Sequence, residues 1–340
     1  MTTAAGPTNP EHLAEGLRNG DMRSLARALT WVERRADGFE TLLGALLPHA
    51  GQAQLVGVSG PPGAGKSTLI GRLAEQYGAV QRVAVLSVDP TSVVSGGALL
   101  GDRIRMTDVS LADNVFVRSV ATRGTAGGLS LACWDLALVL DAAGYDPILI
   151  ETVGAGQGET EVRHLADTTV QVEAPGLGDH VQALKAGMLE VSDIVVVNKA
   201  DRPDSARTAA RIRQTLALGM ETGLALHAFH GQANDTERGW VQPVLLTDAL
   251  SGIGVDELQA RIAEHRDWLC AFGSRRGSEH RRAARLLNLL VDQGWQARRR
   301  SMLEAAGWDD VVEAVADRQQ EPHAAVRRLL QRVFGDGLKG

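Results

Sequence analysis

Cysteine is nearly absent: Cys133 and Cys270 are the only two in 340 residues. A small secreted domain stapled by disulfides needs more, and no CxxC pair offers the spacing of a zinc site. Both thiols are expected to be buried or inert in a reducing compartment. Long hydrophobic runs are missing too. No stretch of about 18 consecutive apolar residues occurs, so no membrane-spanning helix is expected. The opening MTTAAGPTNPEHLAEGL has neither a basic lead nor an apolar stretch of signal-peptide length, which makes the cytoplasm the expected location. A basic surplus is also lacking. Lys plus Arg is 35 against 41 for Asp plus Glu, a net charge of −6. A non-specific nucleic-acid binder carries the opposite balance. What is present is an ordinary globular composition, 44% hydrophobic and 22% charged, which excludes disorder for the chain as a whole. At roughly 150 residues per domain there is room for about two domains.

Between Glu11 and about Leu47, leucine, valine and phenylalanine recur at spacings of three and four, which predicts two or three helices. Asn19-Gly20-Asp21 breaks that stretch and supplies a helix-start residue. From Gln54 the pattern changes to short apolar runs at Leu55–Ser59, Arg82–Val88, Val115–Ser119, Pro147–Glu151, Thr168–Val172, Ile194–Asn198, Leu224–Phe229 and Val244–Thr247. Near-continuous apolar runs mark strands covered on both faces. Their alternation with helical stretches predicts an α/β, doubly wound, mostly parallel sheet. In such sheets ligands bind at the carboxyl ends of the strands. Past Ala271 the strands stop. The segment Gly273-Ser274-Arg275-Arg276-Gly277-Ser278 reads as a linker, and stripes at Leu286–Val291 and Val326–Val333 predict two or three further helices. The expected organisation is a helical extension over 1–50, the sheet domain over 51–271 and a helical arm over 272–340.

LVGVSGPPGAGKST runs from strand through glycine-rich loop to helix. Gly60, four residues, then Gly65-Lys66-Ser67 match the P-loop spacing. Glycines at 60, 63 and 65 let backbone N–H groups turn inward around phosphates, and the helix beginning near Lys66 adds its positive end. Lys66 reaches the terminal phosphates as a point charge, and Ser67 offers a hydroxyl to Mg²⁺. Ala64 and Thr68 belong to the same phosphate-binding set.

Asn198-Lys199-Ala200-Asp201 follows the apolar run Ile194–Val197. In this place NKxD reads guanine. The Asp201 carboxylate accepts from both N1–H and the exocyclic amino group, whereas adenine presents an acceptor at N1 and is rejected. The aliphatic stem of Lys199 lies over the base. Asp89, at the end of the second run in SVDPTS, is placed for Mg²⁺ or a water bound to it; a capping aspartate is the alternative. Ile148-Leu149-Ile150 leads to Glu151 as the Walker B carboxylate, and the N–H of Gly154 is placed for the γ-phosphate. Glu151 stands where most small GTPases have aspartate. With Asp89 upstream, it points to the SIMIBI-type branch of P-loop NTPases, which includes nucleotide-driven metallochaperones and the signal-recognition particle. ATP-dependent ParA-like members carry an extra lysine where this chain has Pro61-Pro62, so they are disfavoured.

The stretches GPPGAGKST, VDPTSVVSGGALLGDRIRM, ETVGAGQGETEV and APGLGDHVQALKAGMLEVSDIVVVNKAD resemble the MeaB-type G-protein chaperones of cobalamin-dependent acyl-CoA mutases, over roughly residues 13–300. The resemblance implies a GTP/GDP cycle that gates adenosylcobalamin loading and protects or reactivates methylmalonyl-CoA mutase or a relative. It implies that Asp102 joins Ser67, Asp89 and Glu151 around Mg²⁺, in a first switch. Gly154–Val162 would be a second switch. Gly176–Lys185 would be a third, with Asp179, His180 and Lys185 carrying nucleotide state to the mutase; a solvated loop is the alternative there. Thr247–Leu250 would back the guanine ring through the backbone of Ala249. Asp248 departs from the family's usual serine, and His180 and Ala183 depart from its usual glutamate and glycine. The C-terminal helices resemble a dimerisation arm, although their stripes could equally pack on their own domain. A homodimer is thus implied, with no nucleic-acid or membrane partner. Hydrolysis would use Lys66, Asp102, Glu151 and Gly154, with Gln157 nearby and Arg103, Arg105, Arg123 and Lys185 as candidates for further positive charge; for each arginine an ordinary surface residue is the favoured alternative. Other readings are a nickel- or zinc-insertion GTPase, for which His227 and His230 are the closest pair, a small-molecule kinase, and a regulatory switch unconnected to cobalamin.

Overall fold

The computed structural model describes residues 9–89, 114–121, 128–152, 162–176, 192–221, 239–272 and 274–334. Three helices open the chain: α1 (Pro10–Arg18), α2 (Met22–Arg34) and α3 (Phe39–Leu46). Local chemistry sets their starts. The Asn9 side chain accepts the Glu11 N–H, and Pro10 fills the first helical position, where its missing donor costs nothing. Gly20 turns the chain at a φ of 80°. Asp21 then caps α2 by accepting from the N–H groups of Arg23 and Ser24. Its bond from the Ser24 hydroxyl, with those backbone bonds, holds the carboxyl below the usual aspartate range.

Among the described residues seven strands form one sheet in the order β3-β2-β4-β1-β5-β6-β7. They are β1 (Leu55–Ser59), β2 (Val83–Asp89), β3 (Val115–Ala121), β4 (Ile148–Thr152), β5 (Thr168–Glu173), β6 (Ile194–Val197) and β7 (Val244–Leu246). Every neighbouring pair is parallel. The remaining apolar run, Leu224–Phe229, lies outside the described residues. Among the described residues four further helices lie along the sheet: α4 (Lys66–Gly78), α5 (Gly128–Ala142), α6 (Ser205–Glu221) and α7 (Val255–Ala271). Alternate strand residues serve opposite faces, as the two-residue period requires. Ala84, Leu86, Ile148 and Ile150 pack with α5 and the three N-terminal helices. Val56, Val58, Leu149, Val170 and Val172 pack with Leu69, Ile70 and Leu73 of α4 and with Leu258 and Ile262 of α7. Val195, Val197 and Val244 meet Ala209 and Ile212 of α6. Each large aliphatic side chain buried this way stabilises by about 1.5–3 kcal/mol relative to exposure.

Strand β5 is less apolar than its neighbours. Thr168, Thr169, Gln171 and Glu173 are all buried. A buried polar group without a partner costs about 1–3 kcal/mol, and these have partners. Gln54 Nε2 donates to Thr168 Oγ1 at 3.0 Å, Thr169 Oγ1 to Asp193 Oδ2 at 2.8 Å, and Gln171 Nε2 to Glu173 Oε1 at 3.1 Å.

The chain divides into two compact units, residues 1–282 and 283–340. The segment expected to be a linker is helical from Ser274 onward, within α8 (Ser274–Ala305). The reason is distant in sequence. Arg282 ion-pairs with Asp167, and both are buried. Its guanidinium also lies 6.0 Å over the Trp134 ring, and burial brings its pKa down to about 10. A charge withdrawn from water in this way must keep its partner, which holds the first turns of the helix, up to Arg282, to the sheet domain. In the second unit α9 (Trp308–Ala316) and α10 (Pro322–Phe334) pack on each other. Among the described residues no helix is long and apolar enough to cross a membrane.

Candidate functional site: a phosphate loop and a base-reading turn

The site gathers at the carboxyl ends of β1, β4, β5, β6 and β7. Strand β1 is wholly buried and delivers Gly60 into a tight corner. A Cβ added at Gly60 would lie 2.1 Å from the Val172 carbonyl oxygen, and φ there is 144°. Gly63 and Gly65 also hold left-handed φ angles of 78° and 93°. A Cβ at Gly65 would lie 2.4 Å from Asn198 Nδ2. The loop therefore needs glycine at 60 and 65 for clearance as well as for its turn. Helix α4 begins at Lys66 with no side chain capping its first turn. The positive dipole end of the helix thus meets no capping side chain and suits an anion.

Lys66 is buried, with Nζ donating to the carbonyls of Gly60 at 2.7 Å and Pro61 at 3.2 Å. The ammonium is thereby held over the loop. Thr68 is exposed on the first turn, and Ala64 is fully buried beneath it.

Ser67 Oγ donates to Glu151 Oε1 at 2.5 Å, and Ser87 Oγ to Glu151 Oε2 at 3.3 Å. Glu151 is 5% exposed, so its carboxyl oxygens meet these hydroxyls rather than bulk water. A buried carboxylate beside a P-loop hydroxyl is a hard-oxygen set that suits Mg²⁺. Ser87 escaped the sequence reading; its one signal is a hydroxyl in the otherwise apolar run before Asp89. Asp89 closes β2, paired in register with Ala121. Asp102, Gly154, Asp179, His180 and Lys185 lie outside the described residues. So do Arg103, Arg105, Arg123, Gln157, His227 and His230. Among the described residues no group of three or more His, Cys, Asp or Glu is arranged to hold a metal ion.

The NKAD turn is joined directly to the phosphate loop. Asn198 Nδ2 donates to the Ala64 carbonyl at 2.9 Å. Its Oδ1 accepts from Thr247 Oγ1 at 3.2 Å and from the Ala249 N–H at 3.0 Å. One amide therefore ties three loops together. Lys199 holds a left-handed φ of 62°, which costs a residue with a side chain roughly 1–2 kcal/mol. Its Nζ donates to the Gly63 carbonyl at 2.6 Å, so the lysine stem bridges the space between turn and phosphate loop. Asp201 is exposed beside it.

Asp248 has a local explanation. Its Oδ1 accepts from the Leu250 N–H at 3.2 Å, its Oδ2 accepts from the Ser251 hydroxyl, and its own N–H reaches Ile253. The Ser251 bond, first among these, holds its carboxyl below the usual range. The aspartate thus closes the turn that presents Ala249. Gly254 completes it, because a Cβ there would meet the Leu246 carbonyl at 2.2 Å.

Comparison with known proteins agrees with this geometry. A family described as "Methylmalonyl Co-A mutase-associated GTPase MeaB" matches residues 25–304. The GTPase ArgK of Escherichia coli is 38% identical over 78% of this chain and 79% of its own. The mouse "Methylmalonic aciduria type A homolog, mitochondrial" is 34% identical over 80% of this chain and 67% of its own. A Pyrococcus abyssi relative is 38% identical over 96% of this chain and 98% of its own. The crystal structure of an LAO/AO transport system kinase superposes with a TM-score of 0.68 at 26% identity, covering 97% of this chain and 99% of that one. A P-loop joined to the NKAD turn, within a family match that spans most of the chain, places this protein in the MeaB family of P-loop GTPases.

Proposed function

We propose that this GTPase is a G-protein chaperone that gates adenosylcobalamin loading and protects or reactivates a cobalamin-dependent acyl-CoA mutase, methylmalonyl-CoA mutase or a relative. The observation that carries the reading is the family match over residues 25–304, whose description names that mutase. In-line attack by water on the γ-phosphate is mostly a matter of positioning and charge neutralisation. Lys66, held at the mouth of the loop, supplies a fixed positive charge. Asn198 keeps the base-reading turns in register with the loop that holds the phosphates. Asp201 selects guanine. Ser67 and Glu151 would hold Mg²⁺, joined by Asp89 and Asp102, and the ion would supply charge neutralisation on the phosphates. The N–H of Gly154 would orient the third phosphate.

The partner-coupling residues in this reading are Asp179, His180 and Lys185. Coupling of two ligands needs a segment that both bias. Lys185→Ala and Asp179→Ala should leave basal hydrolysis nearly intact and remove most of the acceleration produced by added methylmalonyl-CoA mutase. A GTPase assay with and without the mutase decides it. Full stimulation of both variants would move the coupling to another surface.

The same reading makes the chain a homodimer through residues 272–340. Trp295, Val291, Val312, Val326 and Phe334 leave apolar surface exposed on a single chain, and surface of this kind marks association. Light scattering at micromolar concentration should return twice the 36.1 kDa chain mass; a value of one chain mass rejects the dimer.

A further inference from the structure

Arg72 lies on α4, in the helix that begins at Lys66. Its guanidinium reaches away from that helix to the turn after β7. Nε donates to the Ala249 carbonyl at 3.2 Å and Nη2 to the Leu250 carbonyl at 2.9 Å. Nη1 pairs with Glu75 Oε2 at 2.9 Å on the same helix. That exposed pair contributes little by itself, but it orients the planar fork. Two consecutive carbonyls of one turn are thus held by a single cation from an element 177 residues away in sequence.

We propose that Arg72 is a positioning residue for guanine recognition, a strut that fixes the base-backing turn to the helix whose N-terminus faces the phosphates. The inference rests on reading Thr247–Leu250 as the turn that backs the base. A nucleotide has a fixed span between phosphate and base, so affinity depends on how rigidly the protein holds its two ends apart. One tie is Asn198, which joins the Ala249 N–H to the Ala64 carbonyl of the phosphate loop. Arg72 is the other, on the opposite edge of the same residue. Ala249 is therefore pinned through both its N–H and its carbonyl. The peptide unit is planar, so holding the Ala249 and Leu250 carbonyls also orients the N–H groups of Leu250 and Ser251. Without Arg72 those two planes are held only from within the turn, by the Asp248 carboxylate that accepts from the Leu250 N–H, and their carbonyls are no longer fastened to α4.

The consequence is specific to one edge of the base. Asp201 reads N1–H and the 2-amino group, and its turn is not touched by Arg72. On the reading that the turn after β7 backs the ring, with Asp201 on the N1–H and 2-amino edge, that turn is left the side of the 6-oxygen. Calorimetry with GDP and with 6-thioguanosine diphosphate, which keeps N1–H and the 2-amino group but puts a weakly accepting sulfur in place of that oxygen, separates the two. The wild-type protein should bind GDP much more tightly than the analogue. Arg72→Ala should weaken GDP about tenfold, the size expected for lost charge-assisted hydrogen bonds, while the analogue changes less than about twofold. Arg72→Lys restores a charge and one contact, and should recover about half of the loss on a logarithmic scale. If Arg72→Ala fails to fold, as judged by thermal melting, Arg72→Lys carries the same comparison with about a threefold loss for GDP alone. Equal weakening of both ligands, or of neither, overturns the strut. A wild-type protein that binds both ligands alike would instead reject the reading of the turn itself, and the strut with it.

Discussion

Lys66→Ala is expected to lower GTP turnover by at least about a thousandfold, measured as phosphate release at saturating GTP. The size follows from where the charge sits. Lys66 is 7% exposed and its Nζ is held by two carbonyls of the phosphate loop. An ammonium so placed needs no reorganisation when a triphosphate arrives, and a preorganised charge in a site shielded from water acts far more strongly than one in bulk solvent. Three powers of ten correspond to about 4 kcal/mol of transition-state stabilisation, the upper end of what one fixed donor supplies. The variant also leaves the Gly60 and Pro61 carbonyls without this donor, so the loop loses part of its shape. Lys66→Met, which keeps an apolar stem in the same space, should be as inactive as Lys66→Ala if charge is the cause. Turnover within tenfold of wild type in either variant would remove Lys66 from the reaction.

The parts of this site that were legible in the sequence are contiguous. A buried strand, a glycine loop and a helix follow one another at β1, Gly60 and Lys66, and local rules suffice to recognise them. The NKAD turn follows β6 in the same way. Asn19-Gly20-Asp21 announced the end of α1 and the cap of α2 because capping is also local. What was not legible depends on residues far apart in the chain. Ser87 reaches Glu151 across 64 positions, and a single serine in an apolar strand carries no signal of its own. Arg72 meets two carbonyls, groups that every residue possesses, so no pattern of side chains could point to it. The segment around Gly277 looked like a linker because glycine and serine there favour a break. Tertiary structure overrode that preference, since the Arg282–Asp167 pair holds the helix in place from outside it. Asp102 and the switch segments were named from family resemblance alone, and they fall outside the described residues.

Asp201→Asn should exchange guanine for xanthine. The substitution keeps the size of the side chain, and the turn beneath it is held by other groups. The Asn198 N–H donates to Glu173 at 2.8 Å, the Ala200 N–H to Thr247 at 3.0 Å and the Arg202 N–H to Lys199 at 3.0 Å. Lys199 remains fastened to Gly63. The frame therefore persists and only the donor and acceptor pattern changes. A carboxylate presents two acceptors to the N1–H and the 2-amino group of guanine. An amide presents one acceptor and one donor, so the donor faces the 2-amino group and repels it. Xanthine carries a carbonyl at that position and accepts from the amide. A site built to pair hydrogen bonds discriminates strongly against a ligand that leaves one unpaired. GDP affinity should fall about a hundredfold, and XDP affinity should rise above it, since charge-assisted bonds to the base are lost for one ligand and a matched pair is gained for the other. Calorimetry with GDP, XDP and ADP on both proteins reads the exchange. GDP affinity in Asp201→Asn within threefold of wild type, or a wild-type protein that takes ADP as readily as GDP, would show that this carboxylate does not read the base.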